Sequence, residues 1–125
     1  MKHILLSLVL VLTFSLSAFA DECVSGDCVN GYGTYVWDNG DKYVGESKDN
    51  LLHGHGTLIY ANGDQYVGGY KNDERDGQGT YTYVNGDQYV GGYKNGEKHG
   101  QGTYTYVAGD QYVGGFKNDE FHGQG

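Results

Sequence analysis

Apolar and polar residues alternate along much of this chain, which is the pattern of β-strands rather than of helices. Residues 80–84 alternate threonine with tyrosine and end in valine, a composition that suits a pleated strand. Asn85-Gly86 is a turn signal, and residues 87–93 form the predicted return strand. The polar segment 94–99 is expected to connect this hairpin to the next one. The pattern therefore predicts a β-hairpin.

The same sequence pattern recurs every 23 residues, and each copy begins with two glycines that are separated by one residue. Complete units occupy residues 31–53, 54–76, 77–99 and 100–122, and residues 123–125 open a fifth. A single hairpin is marginally stable, whereas stacked hairpins share one continuous sheet. The sequence therefore predicts an all-β fold for residues 31–125, an elongated single-layer array of stacked β-hairpins with a 23-residue period.

The spacing of the tyrosines predicts the register of each hairpin. A three-residue loop at 84–86 places Tyr81 opposite Tyr89 and Gly79 opposite Gly91, so that all aromatic rings share one face. Threonine, glutamine and valine then share the other face. We expect each ring to lie over a glycine of the neighbouring strand, where a Cβ would take its space. The predicted structural ladder of aromatic residues and glycines comprises Tyr35, Trp37, Tyr43, Tyr60, Tyr66, Tyr70, Gly79, Tyr81, Tyr83, Tyr89, Gly91, Tyr93, Tyr104, Tyr106, Tyr112 and Phe116.

The first twenty residues have the pattern of a secretory signal peptide. An apolar run at 4–20 follows Lys2 and ends in Ala18-Phe19-Ala20, which predicts cleavage after Ala20. The alternative is an uncleaved anchor, for which 17 residues is the short limit of a membrane-spanning helix. We therefore expect the protein to be exported, and to be periplasmic or secreted after cleavage.

Both cysteines, Cys23 and Cys28, follow this segment directly, in residues 21–30. In an exported protein such a pair predicts a local disulfide, which would tie down an N-terminal cap. A metal site is the alternative, although two thiols alone do not complete a tetrahedral coordination shell.

Composition and charge narrow the range of partners. Removing residues 1–20 removes one of eight basic residues and none of the sixteen acidic ones, which leaves a net charge of 7 − 16 = −9. Such a charge repels phosphate, so we expect no binding to nucleic acid or to anionic membranes. Glycine (23) and tyrosine (13) dominate and proline is absent, which fits close backbone packing with flat rings as the main filler.

These units resemble the MORN (membrane occupation and recognition nexus) repeat, in an exported bacterial-type member. The features that carry the resemblance are Gly77-x-Gly79, Gly86-Asp87, Tyr89-x-Gly91 and Tyr93. The resemblance implies an elongated array of hairpins that serves as a protein-binding scaffold, with phospholipid binding proposed for several members. The first unit departs from the pattern at Glu46 and Ser47, which indicates a capping repeat. Choline-binding repeats are another exported family of aromatic hairpins. They have a shorter period and lack Tyr-x-Gly-Gly, so the resemblance to them is weaker.

Carboxylates and imidazoles, which are common metal ligands, recur along the repeats. The aspartates after the turn glycines are Asp41, Asp64, Asp87 and Asp110, and the histidines at the unit ends are His53, His99 and His122. Successive hairpins advance by about 10 Å, whereas calcium and zinc ligands lie within about 2.6 Å of the ion. We therefore assign the aspartates to turn chemistry and solvation of the hairpin tips, and we expect neither a metal site nor a cofactor.

The repeats offer no catalytic group, since their only serine, Ser47, has no histidine paired with it by the pattern. Two functions remain: a non-catalytic protein-binding scaffold, or binding of a glycan or lipid headgroup through the aromatic face. Exposed rings would favour the second function and buried rings the first.

The strand at 110–116 is expected to lie at or near an open edge, which indicates either a longer natural chain or self-association of two copies there.

Overall fold

A computed structural model describes residues 21–123, so the predicted signal peptide lies outside the described residues. Within them the chain forms one antiparallel sheet in which the strands follow one another in chain order. The ten strands are β1 Glu22–Gly26, β2 Tyr32–Val36, β3 Lys42–Lys48, β4 Leu51–Ile59, β5 Gln65–Lys71, β6 Glu74–Thr82, β7 Gln88–Lys94, β8 Glu97–Thr105, β9 Gln111–Lys117 and β10 Glu120–His122. This described part of the chain contains no helix, and so none that could span a membrane. The predicted array of stacked hairpins is confirmed.

The register within each hairpin is the one that the tyrosine spacing predicts. Tyr81 pairs with Tyr89 across β6 and β7, and beyond the strand ends the N–H of Tyr83 donates to the carbonyl of Asp87 (2.9 Å), which closes a three-residue loop at 84–86. The N–H of Gly86 donates a hydrogen bond to the carbonyl of Tyr83 (2.9 Å). Gly86 has a φ of 102°, which is the left-handed geometry that closes such a loop.

The connection between hairpins differs from the expectation. Residues 94–99 are not a polar connector: Lys94 pairs with Glu97 around the two-residue turn Asn95-Gly96, and β8 begins at Glu97. Both turn residues have positive φ (52° and 82°), which asparagine and glycine tolerate better than other residues. The same backbone recurs at Asp49-Asn50, Asn72-Asp73 and Asn118-Asp119. Each hairpin is therefore joined to the next by a second hairpin turn, and the sheet is continuous.

A bulge beside each turn explains the two adjacent glycines of Tyr-x-Gly-Gly. The register between β5 and β6 shifts between Gly68 and Tyr70, which leaves Gly69 unpaired against β6. A Cβ on Gly69 would collide with the backbone carbonyl of Asp76. The carbonyl of Gly69 accepts a hydrogen bond from the hydroxyl of Tyr66 (2.9 Å). In this unit the bulge therefore needs a small residue, and it gives the buried tyrosine a partner.

The core is a row of aromatic rings on one face of the sheet, which is the face predicted from the sequence. Tyr43, Tyr66 and Tyr89 are at most 1% exposed. Each lies over a glycine of the following strand; a Cβ on Gly102 would come within 2.6–2.8 Å of three atoms of Tyr89. Edge-to-face contacts at centroid distances of 4.8–5.5 Å link Tyr43, Tyr70, Tyr66, Tyr93, Tyr89, Phe116 and Tyr112 in that order. These distances are those of favourable aromatic pairs.

Both ends of the described sheet carry short strands. At the N-terminal end β1 pairs with β2, and a disulfide joins Cys23 to Cys28, as the cysteine pattern predicts. At the other end β10 pairs with three residues of β9, and the ring of Phe121 lies 4.2 Å from that of Tyr112. The edge expected to be open at 110–116 is therefore partly covered, because the chain turns back over it at Asn118-Asp119.

Candidate functional site

The recurring aspartates clamp one hairpin to the next. One carboxylate oxygen of Asp64 accepts a hydrogen bond from the Tyr81 hydroxyl (2.7 Å) and the other accepts one from the N–H of Val84 (2.8 Å). Asp87 repeats the arrangement with the Tyr104 hydroxyl (2.9 Å) and the following hairpin tip. Both carboxylates are 9% exposed. For Asp64 and Asp87 the expected solvation of the hairpin tips is therefore wrong, since both side chains are buried and join neighbouring units, whereas Asp110 is exposed as expected.

The electrostatics of Asp64 follow from these contacts. Burial opposes ionisation, but the hydrogen bonds from Tyr81 and Val84 outweigh it and hold the pKa of Asp64 below its usual value. From the next unit, Asp41 accepts only one hydrogen bond, which the N–H of Ala61 donates (2.8 Å). The residue that pairs with Tyr43 from β4 is Leu58, which has no hydroxyl to donate. Among the described residues, no three His, Cys, Asp or Glu side chains form a group that could hold a metal ion.

The histidines His99 and His122 at the unit ends contribute a backbone contact. A Cβ on Gly92 would collide with the carbonyl oxygen of His99, and one on Gly115 would lie 2.5 Å from that of His122. The equivalent position in another unit is Asp76, whose carbonyl has the same role. These repeat positions therefore share a backbone contact, which any side chain allows.

A second set of rings lies beside the buried row and is only partly covered. Tyr60 and Tyr81 lie 5.8 Å apart in a tilted pair, Tyr81 and Tyr83 4.5 Å apart, and Tyr83 and Tyr104 5.8 Å apart. Tyr106 is 38% exposed. The predicted ladder therefore contains two kinds of ring: buried ones that form the core, and outer ones that form a surface.

At the N-terminal half of this surface the outer rings line a groove of about 370 Å³. Its apolar wall is formed by Trp37, Leu52, Leu58 and Tyr60, and Tyr70 and Arg75 also line it. The carboxylates that line it are Asp41, Asp73 and Glu74. We call this the Trp37 groove.

Arg75 is the residue of the groove that sequence reasoning missed. Its guanidinium donates hydrogen bonds to the Gly96 carbonyl through Nε (3.2 Å) and Nη2 (2.7 Å), and to the Tyr60 hydroxyl through Nη1 (3.2 Å). It also lies 5.2 Å from the ring centroid of Tyr93 and 5.4 Å from that of Tyr81. Such a cation over aromatic rings gains electrostatic attraction from them.

The repeat pattern itself contains the signal for this site. Residues 23 positions apart from Arg75 are Leu52, Lys98 and Phe121, so this column holds an aliphatic, two basic and an aromatic residue. A second groove of about 360 Å³ surrounds Lys98, but there the amine lies 3.7 Å from a carboxylate oxygen of Asp119. Reading the 23-residue columns for variation would have identified the position, since ligand contacts break a symmetry that packing contacts keep.

Comparison with known proteins agrees with this geometry. The family described as MORN repeat matches residues 30–42, 43–65, 66–88, 89–111 and 112–125. From residue 43 onward each family repeat starts at the tyrosine of Tyr-x-Gly, so it divides the 23-residue period at a different point from units 54–76, 77–99 and 100–122. No curated protein matches the chain.

Proposed function

Because this chain belongs to the MORN repeat family, whose repeats are non-catalytic modules that bind proteins or membranes, we propose that it is a protein-binding scaffold of the cell envelope or the extracellular space. The support comes from the face of the sheet opposite the rings. Residues adjacent in a strand point to opposite faces, so the partners of Thr80 across the sheet all lie on that outer face. We call their row the outer stripe.

The outer stripe is continuous and uncharged. It has one residue from each strand from β2 to β9: Thr34, Val44, Thr57, Val67, Thr80, Val90, Thr103 and Val113. Val90 is 44% exposed and Val113 58%. The centre of a protein–protein interface is depleted in charged residues, and this stripe is uncharged on a chain with a net charge of −8. It is therefore the surface we assign to a protein partner.

Site-specific photo-cross-linking in the native host tests this assignment. A photoreactive amino acid at Val90, on the outer stripe, should give a discrete adduct of higher mass with a protein. The same amino acid at Glu74, an exposed position of the Trp37 groove, is the matched control and should give none. Absence of an adduct at Val90, or the same adduct from both positions, would contradict a protein partner on the outer face.

The proposed location rests on the first thirty residues. The signal-like segment predicts cleavage after Ala20, and the Cys23–Cys28 disulfide fits an oxidising compartment. The mass of the protein purified from the envelope or medium should correspond to a chain that starts at Asp21. A protein that is found in the cytoplasm with residues 1–20 intact would refute export.

Anionic surfaces are not among the proposed partners. The net charge of −9 after cleavage should repel both nucleic acid and anionic lipid at physiological salt. The protein should therefore remain in the supernatant when it is sedimented with anionic or with neutral vesicles. Binding to anionic vesicles alone would show that a local feature overrides the net charge.

A further inference from the structure

We propose that the Trp37 groove binds a neutral saccharide of one or two sugar rings. This site goes beyond the proposed scaffold function, because it lies on the aromatic face and the outer stripe lies on the opposite face. The protein partner and the saccharide would therefore be recognised independently. The inference rests on the groove's walls, on an unpartnered buried hydroxyl, and on the balance of its charges.

The walls of the groove combine apolar surface with aromatic rings. Trp37 and Tyr60 present rings, and Leu52 and Leu58 add aliphatic surface. A volume of about 370 Å³ is within the range of small-ligand sites. A sugar ring has an apolar C–H face, which packs on such rings, and a rim of hydroxyls, which needs polar partners.

The hydroxyl of Tyr70 is a polar group that the protein leaves without a partner. Tyr70 is 5% exposed and lines the groove, and its hydroxyl is buried without a hydrogen bond. The Tyr60 hydroxyl is a polar neighbour of this group, in a contact too poorly aligned to satisfy the Tyr70 hydroxyl. Buried polar groups are nearly always paired with protein, water or ligand. A hydroxyl group of a bound sugar would supply the missing partner by displacing the Tyr60 hydroxyl, which now shields this atom from solvent.

Donors and acceptors occur together around this hydroxyl. The bonds of Arg75 to Gly96 and Tyr60 use three of the five N–H groups of a guanidinium, which leaves two for a ligand. One oxygen of Asp73 accepts the N–H of Leu52 (2.7 Å), and the other is available. Hydroxyl groups both donate and accept hydrogen bonds, so a saccharide can use the guanidinium and the carboxylates together.

The charges of the groove exclude anionic ligands and leave a cation as the competing class, which the tetramethylammonium comparator tests. Three carboxylates (Asp41, Asp73 and Glu74) face one guanidinium, so a phosphate or sulfate would meet a net negative surface. A cationic amine would be attracted by the carboxylates but would lie against the guanidinium of Arg75. A neutral polyol carries no charge to be repelled by either, and it satisfies both kinds of group.

The test uses the single tryptophan of the chain as a local reporter. Trp37 is the only tryptophan, so the indole N–H signal in an NMR spectrum of the full chain reports on the surroundings of this one ring, which lines the groove and a smaller pocket beside Tyr35. The probes are neutral disaccharides (cellobiose, lactose and diacetylchitobiose), with inorganic phosphate and tetramethylammonium chloride as charged comparators. We expect the indole signal to shift saturably with at least one disaccharide at up to about 50 mM, because millimolar affinity suits so small a site.

Two substitutions separate a ligand contact from a structural role. Tyr70→Phe removes the unpartnered hydroxyl, so it should leave the melting temperature unchanged and weaken saccharide binding about tenfold. Tyr93→Phe, the equivalent position one unit later and also 5% exposed, is the control and should change neither. Glu74→Gln should also weaken binding, whereas Glu97→Gln in the next unit should not.

Three results would overturn the proposal. The first is an indole signal that does not move with any of the disaccharides. The second is a signal that saturates with phosphate or tetramethylammonium instead, which would assign the groove to an ion. The third is equal binding by Tyr70→Phe and Tyr93→Phe. None of these results bears on the outer stripe, because cross-linking from Val90 tests that surface separately.

Discussion

The first hairpin, formed by β2 and β3, and the later hairpins have the same packing of ring on glycine but different polar ties. Tyr43 lies over Gly56 in the first unit as Tyr66 lies over Gly79 in the second. The Tyr43 hydroxyl donates to the carbonyl of Glu46 (2.7 Å), where the later units have glycine. The pairing of ring and glycine is thus the element that all units share, and the residue at the bulge can vary.

The units differ in how they are tied to their neighbours. Asp64 accepts bonds from a hydroxyl and an N–H of the next hairpin, whereas Asp41 accepts only an N–H from the next hairpin. The first hairpin instead has contacts on its other side: the carboxylate of Asp21 accepts the N–H of Asp38 (2.8 Å), and a disulfide closes the cap. The comparison shows that a terminal unit can keep the same ring-on-glycine core with fewer side-chain hydrogen bonds to the next hairpin, when an N-terminal cap packs on its other side.

The largest expected effect comes from adding a side chain beneath a ring. Gly91→Val and Gly45→Val should both reduce the free energy of unfolding by about 3–5 kcal/mol, because each Cβ would lie within 2.5–2.7 Å of a tyrosine hydroxyl and neighbouring backbone. Thr82→Val, at an exposed position on the outer face, is the control and should change stability by less than about 0.5 kcal/mol. Thermal unfolding measures all three. A mild effect of Gly45→Val alone would show that the first hairpin does not share the core packing.

The hydrogen bonds that the aspartates accept from the next hairpin should have the second largest effect on the free energy of unfolding. Asp64→Ala removes the partner of the Tyr81 hydroxyl and of the Val84 N–H and should cost about 2–3 kcal/mol. Asp41→Ala removes the partner of one N–H from the next hairpin and should cost about 1 kcal/mol. Denaturant unfolding of the two variants gives the difference. Equal losses would mean that the hydroxyl contact of the central units adds nothing to stability.

Much of this architecture is visible in the sequence, because side-chain alternation and turn residues act locally. The parity of the tyrosines predicts both the register and the three-residue loop. The contacts between units are not visible in the same way, since Asp64 and Val84 are 20 residues apart and meet only through the bulged register. The turn Asn95-Gly96 was missed because the polar residues around it resemble a connector. The Trp37 groove depends on Arg75, a position at which the repeat departs from its own pattern.

A smaller effect is expected from alkaline pH. Burial, followed by the nearby Glu46 carboxylate, raises the pKa of Tyr43 to about 12, and burial followed by Asp119 raises that of Tyr89 to about 12. Unfolded tyrosines ionise near pH 10, so the unfolded state gains ionisation free energy first. The stabilisation should be fully present below about pH 10 and be lost as the pH rises towards 12.

Glu46→Gln sharpens this prediction, because it should lower the pKa of Tyr43 and leave that of Tyr89 unchanged. Tyrosinate absorbance and circular dichroism, recorded together across the alkaline range, measure ionisation and unfolding. We expect most tyrosines to ionise in the same step as the sheet unfolds. Complete ionisation near pH 10 with the sheet intact would mean that the rings are accessible to water.

The central claim, that rings packed on glycines hold the array together, is tested most directly by a double-mutant cycle at Tyr89 and Gly102. The three atoms nearest to a Cβ on Gly102 all belong to Tyr89. Gly102→Ala should therefore cost about 2 kcal/mol in the natural chain and far less beside Tyr89→Ala, with a coupling of at least about 1 kcal/mol. If the two substitutions add within about 0.5 kcal/mol, the ring does not pack on this glycine and the account is wrong.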